Sequence, residues 1–294
     1  MSSLDEVIGE HEFYCCGARV LLKRGEIKIL SEPMVVYCPL LESMYGVREV
    51  NIDIVRRIVE KKIQDFGFCC KHRLFDSSMV VPYGSSEIIS VCMDLKLIDC
   101  GVVVCDGVGT VVTSNPKLIQ GIGARLTGII RTSPIDDIID YVKSMGGIAI
   151  DESTAKIDQV EGIVKAIELG YKRIAVTIAG FESASIEAIR SIESKMGVEI
   201  AIFSVCNTCA SSDDAMRISS GADIVCASAS RIIREIVGSR AIMQLGVAIP
   251  VYALTKLGKK LLLSYLTEFE GKIVAFRVQS LPYLVEGRGP IARE

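Results

Sequence analysis

The segment IDCGVVVCDGVGTVVT, residues 98–113, marks the point at which the character of the sequence changes. The residues before it are rich in cysteine and irregular, whereas short apolar runs and amphipathic segments alternate regularly after it. The β-branched run at 102–104, bounded by glycine, predicts a fully buried strand. This strand leads Cys105 and Asp106 into Gly107-Val108-Gly109, where backbone without side chains allows a ligand to approach closely.

From this segment onward, predicted strands and helices alternate about every 25 residues, which is typical of a parallel sheet flanked by helices. The pattern contains about seven parallel strands. We favour an open, doubly wound α/β sheet, with a (β/α)8-like barrel as the alternative. Ligands bind at the carboxyl ends of the strands in either fold. Those ends carry polar or sulfur-bearing residues, namely Cys105, Asp106, Asp151, Cys206, Asn207, Thr208, Cys209 and Ser228.

The beginning of the chain predicts a smaller α+β unit. Residues 18–30 indicate a β-hairpin whose turn contains Gly25. Asn51 is a good N-cap for an amphipathic helix that ends at Gly67. We therefore divide the chain into a cysteine-rich α+β part at 1–84, a βα-repeat domain at 85–285 and a tail at 286–294.

The composition excludes several classes of protein. Half of the 294 residues are hydrophobic, and 33 basic and 36 acidic residues are spread evenly, which argues against a nucleic-acid surface. The apolar runs are too short to cross a bilayer, and no signal peptide precedes residue 10. We expect a soluble, cytoplasmic homo-oligomer that binds neither nucleic acid nor membrane.

The chain contains eleven cysteines, and a disulfide framework is not expected in a reducing cytosol. The remaining alternatives are metal ligation, thiol chemistry and simple burial as small apolar side chains. Thiolates bind zinc, other soft metals and iron–sulfur clusters. We therefore predict a metal ion or an iron–sulfur cluster as cofactor, with Cys16, Cys38, Cys69 and Cys70 as ligands and His72 as a weaker candidate.

A CxxC motif, Cys206-Asn-Thr-Cys209, lies between a predicted strand and a predicted helix. The dipole of a helix favours a thiolate at the N-terminus and makes it more reactive. Half of a metal site is a second interpretation, and coincidence in a cysteine-rich chain is a third. Cys206 and Cys209 are therefore weaker candidate metal ligands than the N-terminal cysteines.

Two glycine-rich segments predict a seat for a phosphate or carboxylate group. Backbone N–H groups in such a turn bind anions, and an arginine nearby assists them. Neither segment is a P-loop or a complete GxGxxG motif, and tight turns are the alternative interpretation. The predicted ligand-binding residues are Asp106, Gly107, Gly109, Thr110, Gly121, Gly123 and Arg125. Asp106 and Asp151 are the candidate catalytic residues, and each would act as a base or a metal ligand.

Ten short strings resemble the archaeal methanogenesis marker protein 8 family, and the similarity extends over nearly the whole chain. The strings are CGARV (16–20), EP (32–33), YCPL (37–40), DFGFC (65–69), CDGVGT (105–110), QGIGAR (120–125), TSPI (132–135), IDQVEG (157–162), ELGYKRIAV (168–176) and IPVYAL (249–254).

The resemblance implies an accessory or maturation protein of the methane-forming pathway. Its expected role is to support methyl-coenzyme M reductase, the nickel cofactor of that enzyme or the assembly of metal clusters, with the enzyme or its maturation factors as partner. The family pattern includes Cys16, Cys38 and Cys69 together with the two glycine-rich segments. It does not include Cys206 and Cys209, which reduces the weight of the CxxC motif.

Three hypotheses of function follow. The first is an accessory or maturation protein that binds a metal or iron–sulfur centre through the N-terminal cysteines. The second is an enzyme that acts on a small phosphorylated or carboxylated ligand at the glycine-rich strand end. The third is a protein-interaction module in which the cysteines are structural.

Overall fold

Four parallel strands form the centre of the main sheet in the computed structural model, which describes residues 2–124, 126 and 128–293. Strand β5 pairs with β9, β9 with β10, and β10 with β11, each in parallel orientation. Apolar residues dominate these strands because helices cover both faces of a parallel sheet. The strands are β5 (Cys100–Cys105), β9 (Arg173–Ala179), β10 (Glu199–Val205) and β11 (Ile224–Cys226).

Antiparallel strands extend the sheet on both sides, to the order β12-β13-β11-β10-β9-β5-β6-β8. Residues 107 and 109 are glycines with positive φ, and they turn the chain directly from β5 into β6. The prediction of about seven parallel strands is therefore wrong. The sheet is open in the part of the chain that the structure describes, so the barrel alternative is wrong as well. The added strands are β6 (Gly109–Thr113), β8 (Gly147–Ala149), β12 (Met243–Leu245) and β13 (Val251–Ala253).

Helices pack on both faces of this sheet, as the alternating pattern predicted. Neighbouring strand residues point to opposite faces, so that Val103 contributes to one hydrophobic core and Val102 to the other. One face carries α3 (Ser85–Asp94), α4 (Pro116–Gly123), α5 (Asp136–Ser144) and α9 (Lys256–Glu268). The other carries α6 (Gln159–Glu168), α7 (Ser185–Met196), α8 (Ser212–Gly221) and the π-helix Ile233–Val237.

A separate antiparallel sheet contains the predicted N-terminal hairpin, in the order β3-β2-β1-β7. Helix α2 (Ile52–Phe66) packs on it, and the predicted caps of this helix are confirmed. The Asn51 side chain accepts a hydrogen bond from the N–H of Ile54, and Gly67 ends the helix at φ 63°. The strands are β1 (Glu10–Cys15), β2 (Ala18–Lys23), β3 (Glu26–Ile29) and β7 (Gly128–Arg131).

Strand β7 follows the predicted domain boundary at residue 84 but pairs with β1, so the N-terminal sheet includes a strand from the second predicted domain. The predicted tail also contacts the N-terminal part, because β14 (Ile291–Ala292) pairs with β4 (Val35–Tyr37). A short helix, α1 (Pro39–Tyr45), follows β4 directly. The division into two domains and a tail stays a prediction.

The buried carboxylate of Asp223 connects several elements at the start of β11. It accepts hydrogen bonds from the Ile202 N–H at 2.8 Å, from Arg190 Nη2 at 2.5 Å and from Thr255 Oγ1 at 2.5 Å. These donors belong to β10, to α7 and to the N-cap of α9. One side chain therefore joins the sheet to helices on both of its faces.

We expect Asp223→Ala to lower the free energy of unfolding by about 3 kcal/mol, because it removes the carboxylate that balances the partly buried Arg190 and leaves the buried N–H of Ile202 without its acceptor. Asp213→Ala, at an exposed position in the first turn of α8, should change it by less than about 1 kcal/mol. Urea denaturation followed by circular dichroism measures both values. Equal losses in the two variants would contradict the role assigned to Asp223.

Candidate functional site

The carboxyl ends of β9, β10 and β11 lie side by side, at the edge of the sheet where parallel α/β folds bind ligands. Each strand is followed by a short irregular segment that carries polar or sulfur-bearing side chains. These segments are the 3-10 turn Gly180–Glu182 after β9, residues 206–209 after β10 and residues 226–228 at the end of β11.

Asn207 holds the second and third of these segments together. Its buried side-chain amide donates from Nδ2 to the carbonyl oxygen of Cys226 at 2.7 Å and accepts from Ser204 Oγ at 2.9 Å. Its backbone N–H donates to Ser228 Oγ at 3.1 Å. The CxxC loop is therefore fixed to the neighbouring strand end and is not a free surface loop.

Two residues of these segments adopt the left-handed backbone conformation that normally favours glycine. They are Cys206 at φ 53° and Ser228 at φ 51°. Such a conformation costs on the order of 1 kcal/mol or more for a residue with a side chain, and it is common at functional sites. Such a conformation persists only where the surrounding structure enforces it, so the CxxC loop is held in a defined conformation at Cys206.

The tip of the β1–β2 hairpin packs against the CxxC loop. Cys16 and Gly17 both have positive φ, at 53° and 76°, as a two-residue type I′ turn requires. The Cys209 thiol donates to the carbonyl oxygen of Gly17 at 3.5 Å, and a Cβ added at Gly17 would lie 3.2 Å from a methyl group of Thr208. This contact brings Cys16 close to the CxxC loop, which lies about 190 residues later in the sequence.

Five cysteines lie near one another in one surface region, which we call the thiol recess: Cys16, Cys38, Cys206, Cys209 and Cys226. All five keep some solvent-exposed surface. Coulombic interactions link Cys16 with Cys38, Cys38 with Cys226, and Cys206 with both Cys226 and Cys209.

Burial dominates the acid–base behaviour of these thiols. It raises the pKa of Cys206 to about 12 and that of Cys209 to about 11, and it also raises the pKa of Cys226. Cys206 is nevertheless exposed to solvent. Its thiol group is therefore desolvated by neighbouring protein atoms, although the residue keeps exposed surface.

Two charged residues lie in electrostatic range of the recess. Burial lowers the pKa of Lys62, on α2, and its ammonium group interacts with Cys15, Cys16 and Cys206. Burial also raises the pKa of Glu182 to about 7, so this carboxyl group changes its charge close to neutral pH. The positive charge of Lys62 favours thiolates, which are the form of cysteine that binds metals and attacks electrophiles.

Cys15 and Cys16 are adjacent in sequence, and their sulfur atoms lie 3.9 Å apart. The Cys16 thiol hydrogen-bonds to Cys15 and thereby lowers the pKa of Cys15 and raises its own. Cys15 is buried, so only Cys16 of this pair reaches the recess surface.

The structure divides the predicted metal ligands between two places. Cys16 and Cys38 lie with Cys206 and Cys209 in the recess, whereas Cys69 and Cys70 are buried in the core of the N-terminal part. Burial raises the pKa of Cys69 well above its usual range and that of Cys70 to about 12, and the side chain of His72 is exposed. Within residues 2–124, 126 and 128–293, no three Cys, His, Asp or Glu side chains are arranged to hold a metal ion.

Three residues of this region are not among the candidates that the sequence indicates: Lys62, Glu182 and Cys226. Cys226 ends a strand next to the one that leads into Cys206, so the rule that ligands meet strand ends could have identified it. Lys62 and Glu182 carry no local signal, because a charged residue on an amphipathic helix or after a strand is ordinarily solvated.

Asp106, the first candidate catalytic residue, forms a buried ion pair. Arg73 donates from Nε to Asp106 Oδ1 at 3.0 Å, and the Cys69 N–H donates to Oδ2 at 2.9 Å. Arg73 also donates from Nη2 to the Ile122 carbonyl oxygen at 3.1 Å. Although burial opposes its charge, the Asp106 carboxylate raises the pKa of Arg73. Both carboxylate oxygens of Asp106 therefore accept hydrogen bonds from the protein itself.

Protein atoms also fill the space beside the glycine-rich segments. A Cβ added at Gly109 would lie 2.3 Å from two carbonyl oxygens, and one at Gly121 or Gly123 would collide with Phe75 or Ser86. The Thr110 hydroxyl donates to Gln159 Oε1 at 2.7 Å. These glycines allow close packing and a tight turn, and Arg125 lies outside the described residues.

Asp151, the second candidate catalytic residue, accepts hydrogen bonds from its own loop. Its donors are the side chains and N–H groups of Ser153 and Thr154, and the side-chain bond to Ser153 is the largest cause of its pKa of about 2. The carboxylate therefore stabilises a turn.

The comparisons with known proteins identify a family. The family model described as "Uncharacterized protein conserved in archaea (DUF2099)" matches residues 11–267. The chain belongs to this archaeal family. It is similar to the uncharacterized protein MJ0054 of Methanocaldococcus jannaschii, with 37% identity over 268 residues that span 91% of this chain and 93% of the relative.

The family match includes the β1–β2 hairpin, all four central parallel strands and the whole thiol recess. The recess is therefore part of the region that defines the family and does not lie in an appended segment. None of the helices in the described ranges combines the length and the apolar character that crossing a membrane requires.

We expect Asp106→Asn to lower the free energy of unfolding by about 3–5 kcal/mol, because it removes the charge that balances the buried Arg73 guanidinium. Asp151→Asn, the matched control at the other candidate catalytic position, should change it by less than about 1 kcal/mol. Chemical denaturation measures both. Wild-type stability of Asp106→Asn would contradict a structural role for the ion pair.

The left-handed conformation of Cys206 gives a second prediction. Cys206→Gly should be more stable than Cys206→Ala by about 1 kcal/mol, because only alanine retains the unfavourable backbone conformation. The matched pair at Cys209, which lies in a 3-10 turn without positive φ, should show the opposite order. Thermal unfolding of the four variants measures the difference, and the same order at both positions would contradict strain at Cys206.

Proposed function

We propose that the thiol recess binds a soft metal ion or a metal–sulfur cluster and that the protein is an accessory or maturation protein. The observation that carries this proposal is that five cysteines lie near one another and near Lys62. They come from the tip of a hairpin, from the position that follows β4 and from the ends of two neighbouring strands. Several thiols that lie close together and keep exposed surface are the donor set that zinc, copper and iron–sulfur clusters select.

The chemistry of the donors fits a metal–sulfur centre better than a preformed site for one ion. A single tetrahedral zinc ion holds each sulfur at about 2.3 Å, which requires four close thiolates. No such compact group occurs in the described residues, and the recess cysteines interact pairwise, in a chain from Cys16 through Cys38, Cys226 and Cys206 to Cys209. Thiolates spread in this way would suit a centre with several metal atoms, because the ligands of such a centre attach at separate points.

The chain itself supplies binding, charge and protection in this proposal. The thiols of Cys16, Cys38, Cys206, Cys209 and Cys226 would lose protons on binding, because the thiolate is the ligand form. Lys62 would offset part of the resulting negative charge. Glu182 would hold or release a proton near neutral pH beside the centre, and surrounding protein would limit contact with water.

The match to an archaeal family supports an archaeal protein in general. The resemblance to the methanogenesis marker family supports the more specific proposal of a role in the methane-forming pathway. We place the protein in the cytoplasm of a methane-forming cell, where it would support methyl-coenzyme M reductase or the maturation factors of that enzyme. An anaerobic cytoplasm would keep these thiols reduced and available.

The second hypothesis, an enzyme that acts at the glycine-rich strand end, gains no support from the geometry, because Asp106 and the glycines are packed against protein. The third hypothesis, an interaction module with structural cysteines, predicts that partner binding does not depend on the recess thiols. The metal content of the protein separates it from the first hypothesis, because structural cysteines would hold no metal.

We expect protein purified under strictly anaerobic conditions to retain metal, measured by elemental analysis, and to show thiolate charge-transfer absorption in its UV–visible spectrum if the metal is iron. Cys38→Ser and Cys206→Ser should each lower the metal content at least about tenfold, because each removes one thiolate. Cys92→Ala, which replaces a cysteine buried against α9, is the matched control and should retain wild-type metal content.

Reconstitution with iron and sulfide, or with zinc, tests the same variants when the native metal is lost during purification. Metal-free protein that takes up none of these metals, with the recess thiols all titratable by a thiol reagent, would contradict the proposal. Loss of metal from the Cys92→Ala protein to the same extent would also contradict it, because the effect would then not depend on the recess.

A further inference from the structure

A concave site lies beside the thiol recess, between β4, the π-helix Ile233–Val237 and the C-terminal segment 284–291. It is a cavity of about 350 Å³, within the size range of small-molecule sites. Most of its lining is apolar, from Val247, Leu284, Val285, Pro290 and Ile291. The cation in this lining is Arg234.

Arg234 has an unsatisfied donor inside the protein. Its Nη1 atom is buried and has no hydrogen-bond partner among the residues that the structure describes. Burial lowers the pKa of this guanidinium group. A buried donor without a partner costs on the order of 1–3 kcal/mol, and more when the group is charged, so Arg234 is kept in the cavity lining at an energetic cost, as residues at functional sites often are.

Tyr252, on β13, adds a second buried donor close to Arg234. Its hydroxyl also has no partner in the described part of the chain, and it interacts electrostatically with Arg234. Two unsatisfied donors in one region are unusual in a protein in which buried polar groups are nearly always paired.

The backbone around Arg234 is unusual as well. Residues Ile233–Val237 form a π-helix, a rare conformation that often occurs at functional sites. Arg234 is the second residue of this π-helix and belongs to the cavity lining. Glu286 also belongs to the lining and is exposed to solvent.

We infer that this cavity binds a small molecule with an apolar body and one anionic group, a carboxylate or a phosphate, and that Arg234 binds the anion. Arginine suits this task, because its planar fork matches both groups. The apolar lining would cover the body of the ligand. The inference does not depend on a metal in the thiol recess, although the two sites are neighbours through Tyr37, which precedes Cys38, and through Tyr252, which interacts with Cys226.

The test uses sodium hexanoate, hexyl phosphate and uncharged 1-hexanol as probes of the full chain, with isothermal titration calorimetry as the measurement. Hexanoate or hexyl phosphate should bind at least about tenfold more tightly than hexanol, because a charge-assisted hydrogen bond contributes about that factor. The stronger of the two anions identifies the ligand class as carboxylate or phosphate.

Arg234→Met should abolish the preference for the anion, whereas Arg231→Met, three residues earlier at an exposed position, should retain it. Arg234→Met removes an unsatisfied donor, so its thermal unfolding temperature should be no lower than that of the wild type, which shows that it folds. Absence of binding by every probe, equal affinity for hexanol and the anions, or an unchanged preference in the folded Arg234→Met protein would each overturn the inference.

Discussion

The buried ion pair between Arg73 and Asp106 joins the two halves of the molecule. Asp106 follows the central strand β5, and Arg73 belongs to the N-terminal part, as does the Cys69 N–H that completes the acceptor set. Because both charges are almost inaccessible to water, neither part can shift without exposing an unbalanced charge in a medium of low polarity. The hairpin that carries Cys16 and the helix that carries Lys62 belong to the N-terminal part fixed in this way.

Local rules predicted the elements of this fold well and their assembly only in part. The caps Asn51 and Gly67 defined α2, because capping depends on neighbouring residues alone. The direction of β6 escaped prediction, because its apolar run fits a parallel or an antiparallel strand equally well. The tight turn at Gly107 and Gly109 makes β6 antiparallel to β5. A glycine-rich loop that binds a ligand has the same amino-acid composition, so the sequence did not distinguish the two.

The candidate site was predictable to a similar extent. The CxxC motif followed from its place after a strand, and Cys16 and Cys38 from their positions at the ends of predicted elements. Cys226 resembles any small apolar residue in a buried strand, and the environment of Lys62 depends on elements that are distant in sequence. Cys69 was expected to bind a metal through its sulfur, but its thiol is buried in the core. Its backbone N–H, and not its side chain, donates a hydrogen bond to Asp106.

The hydrogen bond from Cys209 to Gly17 spans 192 positions of the sequence. The ribosome therefore synthesises the two partners of this hydrogen bond at different times. The hairpin tip emerges from the ribosome early, but the strand ends that complete the recess follow only after more than two thirds of the chain. Any centre that requires all five cysteines can therefore be acquired only after the chain has been synthesised through Cys226.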